Sequence, residues 1–126
     1  MFTQQYQEEM RYKYPIKFCN NWKPTQNTIL INNNIYKNRR DKVVATLKEI
    51  GLDAKVPSAT LYIWTRVPDG YTSASFTERL LEEVNVVVTP GSGYGTAGEG
   101  FIRLSLTIPD DQIDEGLNRL SQFTLK

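Results

Sequence analysis

Between residues 35 and 50, Ile35, Tyr36, Val43, Val44, Leu47 and Ile50 recur at helical spacing, with Arg39, Arg40, Asp41, Lys42, Lys48 and Glu49 between them. This period predicts an amphipathic helix, and Gly51 is a natural stop for it. After Pro57 the tract ATLYIWTR alternates, with Leu61, Ile63 and Thr65 on one face and Tyr62, Trp64 and Arg66 on the other. A period of two predicts a strand. The tract VPDGYTS carries the Pro-Asp-Gly turn signal, after which Ser73 or Ser75 can cap a helix. That helix bears Phe76, Leu80, Leu81 and Val84 on one stripe. Residues 85–89, NVVVT, read as a short buried strand, and residues 90–100, PGSGYGTAGEG, hold five glycines and form a loop. FIRLSL at 101–106 is a strand, and Pro109 opens a last helix with Ile113, Leu117, Leu120 and Phe123 inward.

The order helix, strand, helix, strand, strand, helix predicts an α+β fold, a two-layer sandwich with helices on one face of a small sheet. Residues 1–33 do not share this regularity. They run through Phe2, Tyr6, Tyr12, Tyr14, Pro15, Phe18, Trp22 and Pro24 into a polar stretch, Thr25 to Asn34, interrupted by Ile29, Leu30 and Ile31. Good helix formers from Gln4 to Arg11, apart from Tyr6, allow a short helix over residues 3–12. The expected division is an irregular N-terminal segment, 1–33, and a folded domain, 34–126.

Composition narrows the function classes. A chain of 126 residues with 40% hydrophobic and 23% charged residues is one globular domain. Lys+Arg of 15 against Asp+Glu of 14 gives no charge bias toward nucleic acid or an anionic membrane. No apolar run nears the roughly 20 residues of a bilayer span, and the N-terminus lacks the pattern of a signal peptide. Cys19 is the only cysteine, so an intramolecular disulfide is excluded and a reducing cytoplasm is the expected setting. There is no histidine, which removes the commonest general base and the commonest metal ligand. Catalysis by this chain unaided would rest on Lys, Asp, Glu or Tyr. No metal site is expected.

Arg103 is the leading candidate for a functional side chain. In FIRLSL the period of two sends Ile102, Leu104 and Leu106 to the helices and leaves Phe101, Arg103 and Ser105 on the opposite face. That places a guanidinium in mid-strand beside a glycine-rich loop, and the planar fork of arginine grips a carboxylate bidentately. Pattern alone leaves open an exposed strand arginine without a partner, which is the commoner case. The loop Gly91-Ser92-Gly93-Tyr94-Gly95 neither opens a helix in the dinucleotide-binding manner nor ends in GK[ST]. It reads as a connector wrapping close to a neighbouring surface. Tyr62 and Trp64 could form a stacking platform, but no basic groove accompanies them, so they read as interface aromatics. Arg39-Arg40-Asp41-Lys42 reads as a solvated helix face.

RRDKVVATLKEIGL (39–52), PSATLYIWTRVPDGYTSASFTERLLEE (57–83), VVVTPGSGYG (86–95) and GEGFIRLSLTIP (98–109) resemble, in order and spacing, a known family. It is the C-terminal small domain of class I/II, fold-type I, pyridoxal-phosphate-dependent aminotransferases, closest to the group of LL-diaminopimelate and aspartate aminotransferases. The resemblance covers residues 34–125, about three quarters of the chain. With the matched alternation of the two strands, it implies a mainly antiparallel sheet in which 60–66 pairs with 101–106. It also implies that Arg103, at the arginine of the family's G-x-G-[YF]-[IV]-R-[ILV] motif, binds the α-carboxylate of the amino-acid substrate. The loop after Val88 would help shape the same cleft, over which a large domain would hold the cofactor.

The chain departs from the family in what it lacks. No segment resembles the S-x-S-K-x-x-x-x-x-G motif of the Schiff-base lysine, and Lys13, Lys17, Lys23, Lys37, Lys42, Lys48, Lys55 and Lys126 all stand in other contexts. The aspartate for the pyridinium nitrogen, the tyrosine beside the cofactor oxygen and the phosphate cup belong to the large domain and have no counterpart here. The expectation is therefore a chain without catalytic residues that binds no cofactor by itself, pyridoxal phosphate being the cofactor of the parent family. It would be an inactive portion of an aminotransferase or, alternatively, a non-catalytic binding or assembly module on the same fold. Its expected partners are an aminotransferase large domain or a second copy docked through the open sheet face. Phe2, Tyr6, Phe18 or Trp22 are expected to cover apolar surface that the missing domain would bare.

Overall fold

The computed structural model describes residues 26–125. The helix expected over residues 3–12, the covering role of Phe2, Tyr6, Phe18 and Trp22, and Cys19 lie outside the described residues. The first described element is helix α1, Gln26–Glu49. Its C-terminal half follows the expected period: Val43, Val44 and Leu47 are buried, with Tyr36 and Ile50 packed against them. Residues 26–33, expected to be irregular, are helical instead. Once a packed stretch has nucleated a helix, each added residue brings one backbone hydrogen bond, and even an asparagine-rich tract can continue it. Ile29, Leu30 and Ile31 are exposed on successive positions, so that turn shows no amphipathic period.

The end of α1 is set by Gly51, whose φ of +89° a side chain would resist. The N–H of Leu52 bonds the carbonyl of Leu47 (2.9 Å) and that of Gly51 bonds Lys48 (3.0 Å), the pattern of a Schellman cap. Strand β1, Tyr62–Arg66, follows, then helix α2, Ser73–Val84. The cap of α2 is Thr72 and not Ser73 or Ser75, the two expected: its hydroxyl accepts the N–H of Ser75, and the Ser75 hydroxyl accepts the N–H of Thr72. Ser75 thus serves in a reciprocal capping box at the third helical position, and Ser73 is turned inward and fully buried.

The strand expected over 85–89 is cut to strand β2, Thr89–Pro90. Asn85 terminates α2 in the left-handed conformation (φ 54°, ψ 39°), its N–H returning to Leu80 and Leu81, and Val87 is 78% exposed. Asparagine tolerates that conformation, so the cap uses up the residues that would have begun the strand. Two short 3₁₀ turns, Gly91–Tyr94 and Thr96–Gly98, lead to strand β3, Phe101–Ser105, and the described chain closes with helix α3, Asp110–Leu120.

The sheet has the order β1-β3-β2 and is antiparallel throughout. Tyr62 lies opposite Ser105, Trp64 opposite Arg103 and Arg66 opposite Phe101, while Thr89 faces Arg103 from the other side. Pro90, lacking an N–H, sits on an edge strand as it must. One face of the sheet, with Ile63, Thr65, Ile102 and Leu106, is buried beneath the helices. It shares one core with Val43, Val44 and Leu47 of α1, Phe76, Leu80 and Val84 of α2, and Ile113 and Leu120 of α3. Burying each large apolar side chain contributes about 1.5–3 kcal/mol relative to exposure, and the rings of Tyr71 and Phe123 meet Phe76 edge-on. The outcome is the expected two-layer α+β sandwich.

Arg39 and Arg40 depart from a solvated helix face. Arg39 pairs with Asp110 at the start of α3 and donates to the Leu106 carbonyl (2.9 Å), and Arg40 donates to the Pro57 carbonyl (3.2 Å). A helical period marks which residues turn outward, but not which loops return to meet them. Among the described residues no helix is long and apolar enough to cross a membrane.

Candidate substrate-carboxylate site

Strand alternation puts Arg103 on the sheet face opposite Ile102 and Leu106, as the period of two requires. That face is not bare. The guanidinium carbon of Arg103 lies 4.1 Å from the centre of the Tyr62 ring and 4.4 Å from that of Tyr94. Tyr62 comes from the neighbouring strand, and Tyr94 reaches in from the glycine-rich turn. Trp64, the cross-strand partner of Arg103, meets Tyr94 edge-on at 5.5 Å. Ring faces attract the cation through their quadrupoles, each contact contributing about 0.5–1 kcal/mol at an accessible site. Arg103 is accordingly half-buried.

The polar atoms of this arginine are less well served. Its Nε is buried and has no hydrogen-bond partner among the described residues. Arg79 shows the contrast: it donates to Glu83, to the Tyr71 hydroxyl (2.6 Å) and to the Thr124 carbonyl (3.2 Å). A desolvated guanidinium nitrogen without an acceptor is costly, and being closed to solvent it is not one that an incoming ligand reaches. The terminal nitrogens, which make no hydrogen bond among the described residues, are those a planar carboxylate can take at two points.

The loop that carries Tyr94 is built by close backbone approach. A Cβ on Gly91 would collide with the carbonyl of Gly98, and a Cβ on Gly98 with that of Gly91. Ser73, in the first turn of α2, anchors the same loop. Its N–H donates to one Glu99 carboxylate oxygen (2.8 Å), its hydroxyl donates to the other (2.9 Å), and its hydroxyl oxygen accepts the N–H of Ser92 (3.3 Å). The Ser73 N–H and hydroxyl hold the Glu99 carboxyl below the usual carboxylate range, with a further lowering from the Gly100 N–H and a partial offset from burial. Sequence reasoning placed Arg103 on the right face but missed Tyr62 and Tyr94 as its neighbours and Glu99 as the partner of Ser73. No local pattern signals any of these pairings.

Pyridoxal phosphate does not fit the described residues. The described lysines, Lys37, Lys42, Lys48 and Lys55, are all exposed. Lys55 lines a groove of about 380 Å³ with Tyr62, Trp64, Arg66 and Phe101, but as an exposed side chain it has no packed surroundings to fix an imine in one orientation. The glycines that resemble a phosphate cradle are occupied with each other: Gly91 and Gly98 pack backbone to backbone. Nor is any group of three or more potential metal ligands assembled among the described residues.

Comparison with known proteins agrees with the architecture. The family model described as "Aminotransferase class I and II" matches residues 25–120. An LL-diaminopimelate aminotransferase of Dehalococcoides mccartyi is 54% identical over 99 residues, covering 79% of this chain and 26% of that protein. One from Oleidesulfovibrio alaskensis is 51% identical over 89 residues, covering 71% and 23%. Among solved structures, the aromatic aminotransferase of Pyrococcus horikoshii superposes with a TM-score of 0.66 at 38% identity, over 71% of this chain and 24% of that one. L,L-diaminopimelate aminotransferase of Chlamydomonas reinhardtii gives 0.65 at 36% identity, over 71% and 22%. The chain spans about a quarter of the length of the curated relatives it matches. On its sheet order, its two-layer core and these matches, the chain belongs to the class I and II aminotransferase family.

Proposed function

We propose that this chain is the substrate-carboxylate-binding small domain of a pyridoxal-phosphate-dependent aminotransferase acting on LL-diaminopimelate, with Arg103 taking the α-carboxylate. The observation that carries this reading is the guanidinium held against Tyr62 and Tyr94 with its terminal nitrogens unbonded among the described residues. Two rings restrain the planar fork without using any of its N–H donors. Orientation is what such a group contributes to transamination: a fixed carboxylate fixes the Cα–H bond relative to the reacting centre. The identity of the relatives from Dehalococcoides and Oleidesulfovibrio supports the choice of substrate.

Placement has effect only against a reactive centre, and the described residues supply none. The chain binds no pyridoxal phosphate in a defined site and catalyses no transamination without a large-domain partner, which it would meet in the cytoplasm. The test is turnover by the purified chain with pyridoxal phosphate, 2-oxoglutarate and a panel of amino acids including LL-diaminopimelate. Glutamate formed above a free-cofactor control, and abolished by Arg103→Ala, would overturn this part of the reading. Addition of a large domain from a relative should restore turnover that depends on Arg103.

A second reading is a non-catalytic binding or assembly module. It is favoured by the partial exposure of Trp64 (40%), Tyr94 (50%) and Phe101 (38%), aromatics on or beside the outward sheet face. On this reading that face docks against a second copy, and sedimentation would show a dimer that Trp64→Glu dissolves.

A further inference from the structure

The turn between β2 and β3 holds Tyr94 over Arg103, yet little of it is buried. Its ends are tied by the pairing of Pro90 with Ile102 and by the bond from the Val67 N–H to the Gly100 carbonyl (2.9 Å). Between them, Ser92 through Ala97 are all exposed, and Gly95 and Gly100 adopt φ values of +108° and +81°. Glycine-rich backbone loses more conformational freedom on ordering than any other, so such a turn needs an anchor to keep one conformation.

Ser73 supplies that anchor from a rigid position. It is 0% exposed, and it sits in the first turn of a helix whose capping box is complete. Both limbs of the turn converge on it: Ser92, two residues before Tyr94, donates to its hydroxyl, and Glu99, five residues after, accepts from its N–H and its hydroxyl. A carboxylate bonded at two points to adjoining donors is fixed in rotation as well as in distance. Tyr94 has no comparable support of its own, since its ring meets only the edge of Trp64 and the Arg103 guanidinium among the aromatic and cation contacts.

We propose that Glu99 is a positioning residue: its two-point bond to Ser73 sets the height of the 91–100 turn and thereby lays Tyr94 against the guanidinium of Arg103. Glu99 itself lies outside the stack. It acts through the turn, and its loss would free one face of the guanidinium and let the fork swing. The functional consequence rests on Arg103 being the carboxylate site, but the geometric claim does not.

The experiment is NMR on the labelled full chain, reading the Arg103 δ-protons and Nε–H, which two flanking rings shift, beside the methyls of Ile63 and Leu106 as core reporters. Tyr94→Leu defines the displacement produced by removing one ring. Glu99→Ala and Ser73→Ala should each reproduce most of that displacement, in the same direction, with the core methyls unmoved. The double variant should move Arg103 no further than Glu99→Ala alone. Arg103 resonances that stay at their wild-type positions in Glu99→Ala or, should that variant not fold, in Ser73→Ala, would overturn the proposal. A parallel titration with glutarate separates the two readings. If the wild type does not bind it, or Arg103→Ala binds equally well, the carboxylate reading fails while the resonances still decide the role of Glu99. If wild-type binding depends on Arg103, Glu99→Ala should weaken it several-fold, and unchanged affinity would count against a positioning role.

Discussion

The guanidinium carbon of Arg103 lies 4.1 Å above the ring of Tyr62, a residue two positions along β1 from its own cross-strand partner, Trp64. Diagonal neighbours on paired strands stand about 7–8 Å apart at Cα, within reach of long side chains. The antiparallel register therefore makes this stack possible. A one-residue slip would send Tyr62 to the core face and leave the arginine on bare backbone.

For Arg103→Ala we expect a modest loss of stability, about 1 kcal/mol, from two ring contacts at a partly accessible site. Urea unfolding at neutral pH measures it. A loss near 3 kcal/mol or more would mean that the guanidinium serves the fold through a buried ion pair. Arg103→Lys should keep the charge but lose planar, two-point carboxylate recognition, weakening glutarate binding by about tenfold or more.

Glu99 makes stability depend on pH in a defined direction. Its carboxyl is held below the usual range when folded, first by the Ser73 N–H and then by the Ser73 hydroxyl. A depressed folded value stabilises the native state above the unfolded pKa of about 4.3, and the contribution disappears as pH falls through the folded value. The stability difference between wild type and Glu99→Gln should therefore be constant from pH 7 to about 5 and shrink at lower pH. A difference that grows on acidification would contradict the assignment.

Thr65 presents the opposite opportunity. It is 1% exposed on the inner sheet face, and its hydroxyl has no partner among the described residues. Burying such a group costs about 1–3 kcal/mol by mutational measures. Thr65→Val keeps the branched shape and removes the polar atom, so its midpoint in chemical unfolding should rise by the equivalent of about 1 kcal/mol.

Gly98→Ala should be among the most damaging surface changes. The added methyl would meet the backbone of Gly91, which cannot yield as a side-chain tip can. Overpacking of this kind costs about 1–3 kcal/mol. The Arg103 resonances should move as they do in Glu99→Ala, because the turn that carries Tyr94 must shift. The neighbouring Gly93→Ala, with open space at its Cβ, should leave both stability and resonances unchanged.

The regular elements were legible because their signals are local. Ile63 and Thr65 alternate with Tyr62 and Trp64, and Phe76, Leu80 and Val84 fall on one helical stripe and are buried, whereas Leu81, expected on that stripe, stands about 100° round the helix from Leu80 and is 46% exposed. The face occupied by Arg103 follows from the same rule. The misses fall where two local preferences compete. Asn85 suits a left-handed cap as well as a strand start, and the cap won because α2 needed an end. Thr72 displaced Ser73 as the cap because the Ser73 hydroxyl was taken by Glu99, twenty-six residues away.

By itself, then, the sequence determined the layers, the inward and outward faces and the family, since periodicity and motif spacing belong to the chain. The environment of Arg103 was decided only by tertiary structure. Strand register brought Tyr62 beneath it, and the Gly91–Gly98 contact and the Ser73–Glu99 bonds carried Tyr94 over it. Contacts between residues distant in sequence depend on how the sheet pairs and where its turns return, and no window along the chain contains both partners.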